Sequence, residues 1–136
     1  MRYSVKLVEE GIFLAKSSDG RLLTIDTRSL EERRGFSPME LLLLASAGCT
    51  AVDVTHLLRR MRQSFDALEV EVEGERREEY PRIYSRVELI YRVRGDVDPD
   101  RVRRAVELSL ERYCSASITL RRAGAELSHR IEVEAP

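Results

Sequence analysis

Ser37 to Arg62 reads S-P-M-E-L-L-L-L-A-S-A-G-C-T-A-V-D-V-T-H-L-L-R-R-M-R and contains the longest apolar run of the chain. Ser37 suits the N-cap of a helix, Pro38 suits its first position, and Glu40 completes a capping box. The stretch therefore predicts one long helix that ends near Arg62 and carries Cys49 in its middle. We expect its apolar stripe to consist of Leu41, Leu44, Ala45, Gly48, Val52 and Leu58.

The segments around this helix alternate between apolar and polar residues, which predicts strands. Three strands should precede the helix, at Met1–Glu9, Ile12–Lys16 and Leu22–Asp26. A long antiparallel hairpin should follow it, formed by Asp66–Glu73 and Ser85–Arg94. The remaining elements should be a helix from Asp98 to Cys114, a short helical piece at Ser115–Arg122 and a last strand at Ala125–Val133. Helices on one side of an antiparallel sheet predict an α+β fold, with residues 1–136 in a single domain.

The composition excludes several classes of protein. A net charge of -1 argues against electrostatic binding of nucleic acid. No apolar segment resembles a signal peptide, and the run Leu41–Ala47 is too short to span a bilayer. We therefore expect a cytoplasmic protein that binds no membrane and whose thiols are kept reduced.

The two histidines do not predict a metal site. His56 and His129 lie in different predicted elements, no Cys-x-x-Cys or His-x-x-x-His spacing occurs, and zinc usually takes three or four such ligands. Two helical turns, about 10 Å along the axis, separate His56 from Cys49, so we interpret His56 as a residue of the helix surface.

Cys49 and Cys114 allow two interpretations. Free cysteines are often inert and buried, and composition alone favours that interpretation. If the two thiols meet, however, a peroxide could oxidise Cys49 to a sulfenic acid and Cys114 could condense with it to a disulfide. Such a reaction needs a cation that favours the Cys49 thiolate. The loop at Thr27–Phe36 offers three candidates, Arg28, Arg33 and Arg34.

Several motifs resemble a known family. The segment S-P-M-E-L-L-L-L-A-S-A-G-C-T together with the downstream Y-C-S resembles the OsmC/Ohr family of thiol-dependent organic hydroperoxide reductases. The segments A-G-C-T-A-V-D-V, E-R-R-E-E-Y-P-R and V-E-L-S-L-E-R-Y-C-S are most similar to its YhfA-type branch. The resemblance extends over nearly the whole chain.

This resemblance implies an OsmC-like fold, an intertwined homodimer in which antiparallel sheets enclose a long central helix. It implies that Cys49 is the peroxidatic cysteine, that Cys114 resolves the sulfenic acid, and that the substrate is an organic hydroperoxide. An external dithiol such as lipoamide would then reduce the disulfide. The resemblance implies no bound cofactor and no metal.

The sequence departs from the family pattern where the thiol is activated. In well-studied members a glutamate directly follows the motif proline and pairs with an arginine, whereas here Met39 follows Pro38. Glu40 lies one position further on, a rotation of about 100° around a helix. We therefore assign Glu40 mainly to capping and only weakly to catalysis, and we take Arg28 as the candidate for activation.

Two other functions are compatible with the same fold. One is a non-catalytic protein that binds small molecules and keeps both cysteines reduced. The other is a purely structural dimer.

Overall fold

The computed structural model describes all 136 residues and contains six strands, three α-helices and one π-helical turn. The strands are β1 (Tyr3–Glu9), β2 (Ile12–Ser17), β3 (Leu22–Asp26), β4 (Ser64–Arg76), β5 (Tyr84–Asp96) and β6 (Glu126–Glu134). The α-helices are α1 (Pro38–Arg60), α2 (Pro99–Leu108) and α3 (Ser115–Arg122), and the π turn (Ser109–Tyr113) joins α2 to α3. Two three-stranded sheets with helices make the fold α+β, as the sequence predicts.

The chain divides into two compact units, an N-terminal unit (Met1–Leu42) and a C-terminal unit (Leu43–Pro136). In the N-terminal unit, β1, β2 and β3 form the predicted antiparallel meander. Every residue of β1 is exposed, including its apolar side chains. At the end of β3, the buried carboxylate of Asp26 accepts hydrogen bonds from the Arg28 side chain and from the N–H groups of Arg34 and Gly35.

The start of α1 confirms the predicted capping box. The Ser37 N–H donates to Glu40 Oε1 at 2.9 Å, and the Glu40 N–H donates to Ser37 Oγ at 3.3 Å. The helix ends at Arg60, two residues before the predicted end, because Arg62 adopts a left-handed conformation with φ of 60°.

Of the predicted apolar stripe of α1, only Leu58 is fully buried and Leu41 is half-buried, and the prediction is wrong at the other positions. The buried residues are Ser46, Ala47, Thr50, Val54 and Leu58, whereas Leu44 and Val52 are exposed. The reason is that the buried face includes three small or polar residues, which hydrophobicity alone assigns to solvent. Length and composition alone would allow α1 to cross a membrane, but its buried face contributes to a core.

The C-terminal sheet has the order β4–β5–β6. β4 and β5 form the predicted antiparallel hairpin, and β4 continues three residues beyond Glu73. The expectation of a purely antiparallel sheet is wrong here, since β6 runs parallel to β5. A helical crossover returns the chain to the end of the sheet where β5 began, and this connection gives a parallel pair. The core lies between β5 and the helices α1 and α2.

The helix that follows β5 differs from the prediction in its second half. Asp98 caps α2 as expected, accepting a hydrogen bond from the Asp100 N–H at 2.9 Å. The α-helix ends at Leu108, and the chain continues as the π turn, in which the Cys114 N–H donates to the Ser109 carbonyl at 2.7 Å. The Tyr113 side chain at the end of this wider turn is exposed.

Candidate active site

The candidate site begins with a polar face on α1, within the C-terminal unit. Ser46, Cys49, Thr50 and Asp53 follow the spacing i, i+3, i+4 and i+7, so their side chains lie on one face of the helix. Ser46 and Thr50 are buried, and Cys49 and Asp53 are partly exposed. One edge of the face therefore lies in the core and the other is accessible.

The residues opposite this face come from the α2–α3 connection. The π turn begins at Ser109 and is followed by Cys114, and α3 supplies Ser117. All three are buried. π-Helical turns are frequent at functional sites because they reposition side chains relative to a regular helix. In this chain the turn brings both Ser109 and Cys114 to the polar face of α1.

The structure brings the two predicted cysteines together. Cys49 Sγ, Cys114 Sγ and a carboxylate oxygen of Asp53 all lie within 4.8 Å of one another. Both cysteines are free thiols. The structure thus adds Asp53 as a direct neighbour of both sulfurs.

Cys114 has a defined hydrogen-bonding environment. Its thiol donates to Ser117 Oγ at 2.9 Å, and its sulfur accepts from the Ser117 N–H at 3.4 Å, as the N-cap of α3. Burial raises the pKa of the Cys114 thiol, the Ser117 N–H that donates to its sulfur opposes that rise, and the neighbouring Cys49 adds to it. Cys114 is therefore held mainly as a neutral thiol, whereas Cys49 is the more accessible of the two.

A chain of hydroxyl groups ends at Asp53. Ser109 Oγ donates to Asp53 Oδ2 at 2.9 Å, and Thr50 Oγ1 lies 2.7 Å from Ser109 Oγ and 2.8 Å from the Tyr91 hydroxyl. Each hydroxyl has a single proton, so Thr50 must donate to Ser109 and Tyr91 must donate to Thr50. Three O–H dipoles consequently point towards the Asp53 carboxylate. Burial raises the pKa of Tyr91, which keeps its proton available for this relay.

The other predicted residues lie in different places. Arg28 Nε and Nη2 donate to the Asp26 carboxylate at 3.0 and 2.8 Å, so this guanidinium is already paired within the N-terminal unit. Arg33 forms an ion pair with Glu40 at 3.4 Å; the hydrogen bond from the Ser37 N–H, with a smaller contribution from Arg33, lowers the pKa of Glu40. His56 is exposed on α1, as predicted.

Sequence reasoning missed five residues of the site: Ser46, Thr50, Tyr91, Ser109 and Ser117. A signal for two of them was present, because Ser46 and Thr50 share the helical spacing of Cys49 and Asp53 within an otherwise apolar segment. The other three come from distant elements, and no local pattern connects them to Cys49.

Comparison with known proteins shows similarity to OsmC-like proteins. The family model for OsmC-like proteins matches residues 31–130. The chain is 40% identical to Protein YhfA of Escherichia coli (strain K12), an alignment that covers 99% of each chain.

Solved structures give the same result. A hypothetical protein from Aquifex aeolicus VF5 is 33% identical, with a TM-score of 0.82 over 98% of this chain and 96% of that one. An organic hydroperoxide resistance protein OsmC from Legionella pneumophila, described as a predicted redox protein, has a TM-score of 0.73 over 97% of both chains. Its identity is 15%, so this second likeness concerns the fold alone.

Proposed function

This chain belongs to the OsmC-like family, and we propose that it is a two-cysteine peroxidase that reduces organic hydroperoxides. Membership in the family indicates a redox or hydroperoxide-related function. The observation that carries the finer proposal is the approach of the Cys49 and Cys114 sulfurs to within 4.8 Å. A disulfide needs about 2.05 Å, so the sulfurs must close a gap of less than about 3 Å.

Cys49 is the attacking residue in this proposal because it is partly exposed, whereas Cys114 is fully buried. The Cys49 thiolate attacks a peroxide oxygen, an S–O bond forms as the O–O bond breaks, and the alcohol leaves with a proton. Cys49 is then a sulfenic acid. Cys114 Sγ attacks the Cys49 sulfur, its proton joins the departing hydroxide as water, and a disulfide results.

The disulfide is returned to two thiols by an external dithiol of the lipoamide type, which is oxidised in turn. No resident cofactor takes part in this cycle. The proposed compartment is the cytoplasm, where such reductants keep thiols reduced.

Activation of Cys49 requires a cation near its sulfur, because attack on a peroxide needs the thiolate. Arg28 remains the predicted activator, although its guanidinium is paired with Asp26. Arg33 is the rival, since its partner is Glu40 in the capping box of α1. The activating pair of the family also consists of an arginine and a glutamate, but here the glutamate, Glu40, lies one residue further along the helix.

The reduced protein, incubated with cumene hydroperoxide and a dithiol, tests the proposal. We expect hydroperoxide consumption that Cys49→Ser abolishes, and a mass loss of about 2 Da after one equivalent of peroxide that Cys114→Ser prevents. No consumption and an unchanged mass would overturn the proposal and favour the small-molecule-binding alternative with both thiols reduced.

Alanine variants of the loop arginines identify the activator in the same assay. Loss of the activating arginine should lower kcat/KM about 10²-fold, a typical effect of removing one electrostatic stabiliser. Arg34→Ala is the matched control, because only its backbone N–H is used to bind Asp26. Equal activity of the Arg28→Ala, Arg33→Ala and Arg34→Ala proteins would exclude activation by this loop.

A further inference from the structure

The three groups that meet at the candidate site form a set of metal-binding donors. Cys49 and Asp53 are four residues apart on one face of α1, and Cys114 is contributed by the connection to α3. Two sulfurs and one carboxylate oxygen, all within 4.8 Å of one another, make a cluster that a single ion could contact with small side-chain movements. Thiolate sulfur favours zinc and similar thiophilic ions, and zinc also accepts carboxylate oxygen.

The surroundings of these donors resemble those of metal ligands. Ligating carboxylates in metal sites are themselves hydrogen-bonded, which fixes their orientation. Asp53 is held in this way by the relay from Tyr91 through Thr50 and Ser109. The Cys114 sulfur accepts a hydrogen bond from the Ser117 backbone N–H, which orients it in the same manner.

The cluster also lacks a protein cation. The arginines that form ion pairs in the C-terminal unit do so on the strands and within α2, and none of them pairs with Asp53. A carboxylate beside two ionisable thiols therefore has no positive partner in this unit. A bound divalent ion would supply that charge and would also explain why the relay orients Asp53 towards the sulfurs.

We propose that the reduced protein binds one zinc-like divalent ion through Cys49 Sγ, Cys114 Sγ and the Asp53 carboxylate. Three protein ligands leave one coordination position for water or another small ligand. Each thiol gives its proton to the buffer as its sulfur binds the ion. The sequence predicted no metal because it lacked His and Cys-x-x-Cys spacings, whereas this donor set is assembled across two distant elements.

The site does not depend on the peroxidase reaction, because it needs only the reduced side chains. It does exclude the disulfide, since the same two sulfurs cannot bind the ion and each other. Binding of the ion should therefore protect both thiols, and oxidation should release the ion. The protein would then hold a thiophilic metal under reducing conditions and lose it when oxidised.

Titration of the reduced, full-length protein with Co²⁺ under anaerobic conditions tests the proposal. We expect one equivalent per chain and a sulfur-to-cobalt charge-transfer band in the near ultraviolet, which Zn²⁺ displaces. Cys49→Ser and Cys114→Ser should each reduce this band, and Asp53→Asn should weaken Zn²⁺ binding by at least about tenfold. Ser109→Ala, which removes the donor to Asp53 and the acceptor of the Thr50 proton, should weaken binding about 10–100-fold.

Asp100→Asn is the matched control for Asp53→Asn, because Asp100 is exposed at the start of α2 and should bind no ion. Wild-type protein alkylated at Cys49 tests the site without relying on a variant's folding, and it should lose the band. Absence of stoichiometric binding, or equal affinities of the Asp53→Asn and Asp100→Asn proteins, would overturn the proposal. Metal-free protein should consume hydroperoxide whether or not it can bind Zn²⁺, so failure of the metal site and failure of the peroxidase are separate results.

Discussion

At the scale of single residues, the N-terminal unit concentrates its polar interactions on Asp26. This buried carboxylate accepts two hydrogen bonds from the Arg28 guanidinium. It also accepts hydrogen bonds from the backbone N–H groups of Arg28, Arg34 and Gly35. The Arg28 guanidinium, aided by these N–H groups, holds the pKa of Asp26 well below its usual range, against the opposing effect of burial. The Asp26 carboxylate thereby fixes the loop that carries all three candidate arginines.

Asp26→Asn should destabilise the protein at neutral pH and should also change how stability depends on pH. Because the pKa of Asp26 is lower in the folded state than its unfolded value of about 3.9, its contribution is complete above that value and is lost progressively on acidification. The difference in unfolding free energy between wild type and variant, measured by urea denaturation, should therefore narrow below about pH 4. A difference in unfolding free energy that stayed constant below about pH 4 would show that the charge of Asp26 does not stabilise the folded protein.

At the scale of secondary-structure elements, the π turn determines the geometry of the candidate site. It begins at Ser109, which donates to Asp53, and it is followed by Cys114, which lies beside Cys49. The same region caps α3 through the Cys114 sulfur. A regular α-helix would rotate the chain after Ser109 by a different amount. The bond from Ser109 to Asp53 and the approach of Cys114 to Cys49 would then not both form.

The backbone of β4 approaches β5 closely at Gly95, where φ is 148°. A Cβ at this position would lie 2.5 Å from Phe65 Cα and from the Ser64 carbonyl oxygen. Gly95→Ala should therefore lower the unfolding free energy by about 1–3 kcal/mol from backbone strain, with a further loss from the contact with β4.

Gly124→Ala is the control for this variant, because its φ of 113° is also unfavourable but a Cβ there meets no atom within 4 Å. Urea denaturation of the two variants should show a clearly larger loss for Gly95→Ala. Equal losses of unfolding free energy in the two variants would mean that position 95 requires glycine only because of its backbone conformation, and not because β4 lies close to it.

At the scale of the whole molecule, apolar side chains remain exposed on both units. β1 exposes Tyr3, Val5 and Leu7, each by more than half of its side-chain surface. In the C-terminal unit, Leu44 and Val52 are exposed on α1. Apolar patches of this kind mark interaction surfaces in soluble proteins. We expect a second copy of the chain to cover them, consistent with the homodimer that the family resemblance implies.

Sedimentation equilibrium or light scattering should therefore give twice the chain mass of 15.7 kDa. Val5→Arg, which places a charge among the exposed apolar residues of β1, should shift the protein towards monomer. Lys6→Glu is the control, because Lys6 already presents a charge on the adjacent position of the same strand. A monomeric wild type, or an equal effect of the two substitutions, would contradict this assembly.

The sequence by itself determined the elements whose causes are local. The capping box fixed the start of α1, the alternation of residues predicted all six strands, and Asp98 with Pro99 located the start of α2. These features depend on neighbours within a few residues along the chain, where residue type and spacing carry the information. The positions of Cys49 within α1 and of Cys114 at a helix end follow from the same local patterns.

Only the tertiary structure decided which side chains meet. The approach of Cys49 to Cys114, the relay from Tyr91 to Asp53 and the parallel pairing of β6 all involve partners from distant segments. Hydrophobicity alone predicts Val52 inside and Thr50 outside, yet Thr50 is buried because Ser109 and Tyr91 satisfy its hydroxyl. The physical reason is that burial of a polar group depends on partners that the chain supplies only after it has folded.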